Sequence, residues 1–200
     1  MSARTLKAIA GLEKTTPAFR RKLCEVADRL VVNPDYLAAC IAFETNRTFS
    51  PSVKNAAGSG ATGLIQFMPS TAKNLGTTTD ALARMTAEKQ LDYVEKYFAP
   101  WRGKLKTLED LYAAILWPAA VGKPDTYVLF SEGTKAYEQN RGFDRAGTGE
   151  VTKAQVSAAI RSIYASAKGV IEVTAASSAV VALVVSTIGA GVWFYLRGRA

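Results

Sequence analysis

Asn33-Pro34-Asp35-Tyr36-Leu37-Ala38-Ala39-Cys40-Ile41-Ala42-Phe43-Glu44 opens as a helix opens and closes on an ionisable residue. Asn33 ahead of Pro34 reads as a helix start, because proline has its φ preset for a first turn and no N–H to leave unpaired. Leu37, Cys40, Ile41 and Glu44 recur at spacings of three and four, so Glu44 continues the apolar stripe. A carboxyl group in such surroundings is desolvated. Its charged form is disfavoured and its pKa rises, which suits a proton donor working near neutral pH. The competing reading is a helix-end glutamate that simply reaches water.

Outward from Glu44 the chain reads Thr45-Asn46-Arg47-Thr48-Phe49-Ser50-Pro51, then Gly58-Ser59-Gly60-Ala61-Thr62-Gly63-Leu64-Ile65-Gln66-Phe67-Met68-Pro69-Ser70-Thr71-Ala72. Glu44, Phe49 and Pro51, followed by Gly63, Leu64, Gln66, Met68, Pro69, Thr71 and Ala72 in order and spacing, make this region resemble the lytic transglycosylases, the goose-lysozyme-like enzymes that cleave peptidoglycan. In that family a catalytic Glu at a helix end is followed by Ser, Phe and Pro, and later by a Gly-Leu-Met-Gln-x-Met-Pro-x-Thr-Ala block. The likeness covers roughly residues 34 to 75. Thr45 stands where Ser is usual and Ile65 where Met is usual. The family's Ala-Tyr-Asn block has no clean counterpart, since Ile115 and Leu116 hold its Tyr and Asn positions. Tyr112, one turn earlier, is the candidate to supply the phenol; an aromatic anchoring a core helix is the alternative.

The resemblance implies one carboxyl group used twice. Glu44 would protonate the oxygen bridging N-acetylmuramic acid and N-acetylglucosamine, then take the proton of the muramoyl 6-hydroxyl, leaving a 1,6-anhydro ring. It also implies substrate-binding positions at Thr45, Gly63, Leu64, Gln66, Phe67, Met68 and Tyr112. A two-carboxylate glycosidase needs a second acid across the sugar. No Asp or Glu lies between Glu44 and Asp80, so that acid would have to fold back from Asp80, Glu88 or Asp92.

Composition removes other chemistries. The chain has no histidine, which excludes Ser-His-Asp and Cys-His nucleophiles and any imidazole-built zinc site. Cys24 and Cys40 sit in apolar helical patterns and read as buried thiols rather than a disulfide. No cofactor or metal is expected. Asp144-Arg145-Ala146-Gly147-Thr148-Gly149-Glu150-Val151 has the outline of a calcium loop, but Ala146, Thr148 and Gln155 stand where ligand oxygens belong. That stretch reads instead as a loop leading to a helix capped by Thr152 with Gln155. A net charge of +8 favours anionic partners, peptidoglycan carboxylates or lipid headgroups. The basic residues form no recognition motif, so nucleic acid ranks low.

Val173 to Leu196 contains no charged residue. About 24 residues at about 1.5 Å each span roughly 36 Å, enough for a bilayer core of about 30 Å. Trp193, Phe194 and Tyr195 resemble an interfacial belt, and Arg197 and Arg199 follow, so a C-terminal transmembrane helix is expected with its short basic tail, 197–200, in the cytoplasm. The catalytic domain would then lie on the periplasmic, cell-wall side. Ser178, Ala182, Ser186 and Ala190 form a small-residue stripe that permits self-association.

Residues 1–168 are expected to form one mostly helical (α+β) lysozyme-like domain with at most a small β element. Helix starts are read at Thr16, Asn33, Thr86, Thr107 and Thr152, and a strand at Thr126–Phe130. Two functions fit. One is a membrane-anchored transglycosylase, by resemblance to similar anchored enzymes a bacteriophage virion component that opens the wall locally. The other is a non-catalytic glycan-binding or structural part of an envelope-crossing assembly.

Overall fold

A computed structural model describes residues 4–56 and 58–174. Its helices are α1 (Pro17–Leu30), α2 (Pro34–Glu44), α3 (Pro69–Asn74), α4 (Thr79–Ala83), α5 (Ala87–Phe98), α6 (Leu108–Leu116), α7 (Lys135–Asn140) and α8 (Lys153–Ser166). The strands are β1 (Arg4–Lys7), β2 (Val128–Ser131), β3 (Glu150–Thr152) and β4 (Val170–Val173), paired antiparallel as β1 with β4 and β2 with β3.

Helix starts follow side-chain chemistry. Thr16, Asn33, Thr86, Thr107 and Thr152 each accept a backbone N–H of the first turn, which satisfies donors that a helix leaves unpaired. Thr152 and Gln155 form the reciprocal capping box. Asp110, whose backbone N–H the Thr107 cap accepts, has a further task. Its carboxylate accepts from Lys153 at 2.6 Å and from Gly122 N at 2.8 Å, and Lys153 also reaches the Lys123 carbonyl. This buried pair fastens α8 to α6. Loss of one partner from such a pair costs about 3–5 kcal/mol.

Helix α2 lies at the centre. Leu37 through Ala42 are all buried, and the helix packs against α8, α1 and α6. The expected one-sided stripe is therefore a helix apolar on every face, as a helix enclosed by others must be. The two cysteines are free and buried in this core, which runs continuously from Leu6 to Ile163.

Two expectations about boundaries change. The strand near Thr126–Phe130 forms at Val128–Ser131. The fold also extends past residue 168, because Val170–Val173 pair with Arg4–Lys7, Val173 facing Arg4. Val173, expected to begin the membrane span, is thus strand. Charge alternation hid this pairing, since Glu172 and the short apolar residues around it merge into the apolar run that follows. Among the described residues no helix is long and apolar enough to cross a membrane; the rest of the expected span, with its small-residue stripe and basic tail, lies outside them.

Candidate active site

Glu44 is the last residue of α2. It is half-buried, with no ion pair or hydrogen bond from its carboxyl group among the described residues. Burial alone lifts its pKa from 4.5 to about 7. No neighbouring charge contributes to that rise, so desolvation is its whole cause. Only Arg20 Nε and Ser157 Oγ are sealed, unpartnered side-chain atoms in the described fold. The unpartnered Glu44 oxygens are therefore recessed yet open to a ligand.

Two phenols respond to Glu44. Tyr112 is buried, its pKa pushed well up by desolvation and then by the Glu44 and Cys40 charges. Its ring meets Phe43 edge-on at 5.5 Å, and its unpartnered hydroxyl is not among the sealed atoms. Tyr97, on α5, rises to about 12 through burial and the Glu44 charge, but its hydroxyl donates to the Ala114 carbonyl at 2.6 Å. Among the described residues Tyr112 keeps a free hydroxyl, whereas Tyr97 is tied between α5 and α6.

The turn after Glu44 is tightly specified. Asn46, Arg47 and Phe49 all have positive φ, of 48°, 63° and 52°, unfavourable for residues with a Cβ. The strain is held by Arg47 N donating to Ala42 O, Thr48 N to Thr45 O, and Phe49 N to Thr45 Oγ1. Gly11 presses against this turn so closely that a Cβ there would sit 1.8 Å from the Arg47 carbonyl oxygen.

Several expected contact residues have different tasks. Thr45 is fully buried; its hydroxyl donates to Ile41 O and accepts from Phe49 N, so it braces the turn and is closed to direct contact with a sugar. Leu64 and Phe67 are core residues with 0% and 2% exposure, closed to direct contact. Gly63 is buried with φ 87°, and a Cβ on it would lie 2.3 Å from Gln90 Oε1. Gln66 is half-buried at the end of that turn. Its Nε2 donates to Val53 O and Gly63 O, leaving its amide oxygen to accept from a ligand. No hydrogen bond joins Gln66 to Glu44. Met68 is 45% exposed and available for contact.

Gln90 is the residue that sequence reasoning passed over. It is fully buried, accepts from Leu64 N at 2.6 Å, and donates to Pro51 O and Leu82 O at 3.0 and 2.9 Å. One amide thus clamps the glycine turn to the loop after Glu44. Its signal was a polar residue beside Leu91 on the buried face of α5.

The acids proposed to fold back stay elsewhere. Asp80 is exposed and pairs with Lys54, Glu88 accepts from Thr16, and Asp92 pairs with Lys22 and Lys89. No group of three metal-ligating side chains occurs among the described residues. The Asp144 carboxylate is turned into its own loop, accepting from Thr148 N, Thr148 Oγ1, Gly149 N and Tyr137 OH. These donors, which hold its pKa below the usual range, occupy the oxygens a calcium ion would use.

A mostly helical fold with small sheets around a recessed, solitary acid fits a lysozyme-like domain. Residues 24–104 match the family described as Transglycosylase SLT domain. The match contains Glu44, Gln66, Gln90 and Tyr97, ends before Tyr112, and marks this part of the chain as similar to lytic transglycosylases. No curated protein matches the chain.

Proposed function

We propose that this protein is a peptidoglycan lytic transglycosylase that uses Glu44 as both acid and base. The observation that carries the reading is the Glu44 carboxyl group, recessed at the end of α2 with no hydrogen bond or ion pair among the described residues, burial pushing its pKa up to about 7. Such a group donates and accepts a proton at neutral pH with comparable ease. Protonated, Glu44 delivers its proton to the oxygen joining N-acetylmuramic acid to N-acetylglucosamine. Ionised, it takes the proton of the muramoyl 6-hydroxyl as that oxygen closes on the anomeric carbon. The bond count balances without water, and the new end is a 1,6-anhydro sugar. No other carboxylate acts on Glu44, which fits a mechanism with no second acid. Tyr112 supplies a phenol at the carboxyl group, and the free amide oxygen of Gln66 accepts from the substrate.

The charge-free C-terminal run after Val173, 174–196, is proposed to anchor the enzyme in a membrane with the folded domain on the cell-wall side. Local wall opening during bacteriophage entry is the proposed setting, supported by the charge-free run, its aromatic and arginine end, and the likeness to anchored wall-cleaving enzymes. Purified full-length protein incubated with peptidoglycan, followed by mass spectrometry, tests the chemistry. Anhydro ends, lighter by one water than reducing ends, are expected. Reducing ends would make it a hydrolase. No cleavage would favour a glycan-binding part of an envelope assembly.

A further inference from the structure

A groove runs along the face formed by the end of α2, the middle of α8 and the loop after α7. Two clefts of about 560 and 400 Å³ meet there, sharing Phe43, Arg145, Ala158 and Ala159. Neither is lined by Glu44 itself, so this space is not the reacting position. Arg47 lines the smaller cleft, Phe143 the larger one. Small residues on α8 give the groove its depth, and Phe43 and Phe143 give it apolar walls.

Its charge is one-sided. No carboxylate lines either cleft. Arg47 and Arg145 make no side-chain hydrogen bond or ion pair among the described residues, whereas Arg4, Arg29 and Arg161 are all paired with acids. Two guanidinium groups with free donors and no counter-charge fit carboxylates, which a guanidinium binds through two parallel hydrogen bonds. A glycan backbone offers sugar hydroxyls and acetamides; its peptide side branches carry the carboxylates. Phe43 precedes Glu44 in the chain and Asn46 and Arg47 follow it, so the groove borders the end of α2 that carries the acid.

We propose that this groove binds the carboxylate-bearing peptide branch of the glycan strand, with Arg47 and Arg145 as its anion-binding groups. The inference rests on the transglycosylase reading for the identity of the strand. The groove lies largely in residues 139–163, beyond the stretch matching the transglycosylase family, so it specifies which strands this enzyme prefers.

The test uses the full chain carrying Glu44→Gln and a fluorescein-labelled muramoyl disaccharide bearing an acidic tetrapeptide, alongside the same probe with its carboxylates converted to carboxamides. Fluorescence anisotropy should show the acidic probe binding at least about tenfold more tightly, with the preference lost in Arg47→Gln/Arg145→Gln and steeply reduced by salt. Ala158→Trp, which fills the groove and keeps both arginines, should weaken the acidic probe by a similar factor. Equal binding of the two probes, no binding of the acidic probe, or an unchanged preference in the double variant would overturn the proposal. Wild-type protein on wall glycan separates the two readings. Intact binding preference without cleavage would remove the catalytic reading and leave the groove; cleavage with no preference would remove the groove alone.

Discussion

Replacing Glu44 by Gln should make the protein more stable at alkaline pH while leaving its stability at acid pH little changed. Burial pushes the native Glu44 pKa up to about 7 from an unperturbed 4.5. Between those values the unfolded chain has released the proton and the native state retains it, so the unfolded state binds fewer protons and stability falls as pH rises. Below 4.5 both states are protonated and nothing is lost; above about 7 the loss is complete and constant. Each tenfold difference in proton affinity is worth about 1.36 kcal/mol, so the interval corresponds to roughly 3 kcal/mol. Solvent contact at the carboxyl oxygens reduces this to about 1–3 kcal/mol. Glutamine has the same shape and no charge. Urea denaturation of wild type and Glu44→Gln at about pH 4 and about pH 8.5 should therefore give a gap that widens by that amount, the variant being the more stable at the higher pH. A gap that stays constant with pH would refute the argument that burial holds the native carboxyl group in its acid form.

Other perturbations separate structural roles from chemical ones. Gln90→Leu leaves the Leu64 N–H and the Pro51 and Leu82 carbonyls without their partner. It should destabilise by about 3–5 kcal/mol, at about 1–3 kcal/mol for each orphaned group with partial relaxation, read by chemical denaturation. Tyr112→Phe removes only an unpartnered hydroxyl, so stability should change by less than about 0.5 kcal/mol while kcat for glycan cleavage drops about tenfold or more. Gly11→Ala places a methyl against the Arg47 carbonyl, 1.8 Å away before relaxation. It should cost about 1–3 kcal/mol and lower cleavage by shifting the turn after Glu44, checked by thermal denaturation and product release.

The sequence carried the parts of the site that local chemistry dictates. Proline after Asn33, with asparagine as an acceptor, set where α2 begins, and the resemblance to the transglycosylases put its end at Glu44. Threonine caps at Thr16, Thr86, Thr107 and Thr152 were readable because the cap depends on residues within one turn. Burial of α2 on all faces was harder to read, since alanine at positions 38, 39 and 42 fits an exposed or an enclosed helix equally well. What pairs across distance was hidden. Nothing near Leu64 signals that its N–H is held by Gln90, and nothing near Arg4 signals that Val173 lies beside it. Tyr112 could be placed on the face of α6, but only packing shows its ring against Phe43 and its hydroxyl unspent. The family block marks Thr45, Leu64 and Phe67 equally with Gln66 and Met68, because a motif records residues that build the turn together with those that touch the ligand.

Glu44 keeps its proton at neutral pH because it is held out of water with no partner among the described residues to stabilise its charge. The most direct measurement is the titration of its side-chain carboxyl carbon by nuclear magnetic resonance, assigned by comparison with Glu44→Gln. A midpoint at about 7 is the expected result. A midpoint near 4.5, the value of an ordinary glutamate, would contradict it.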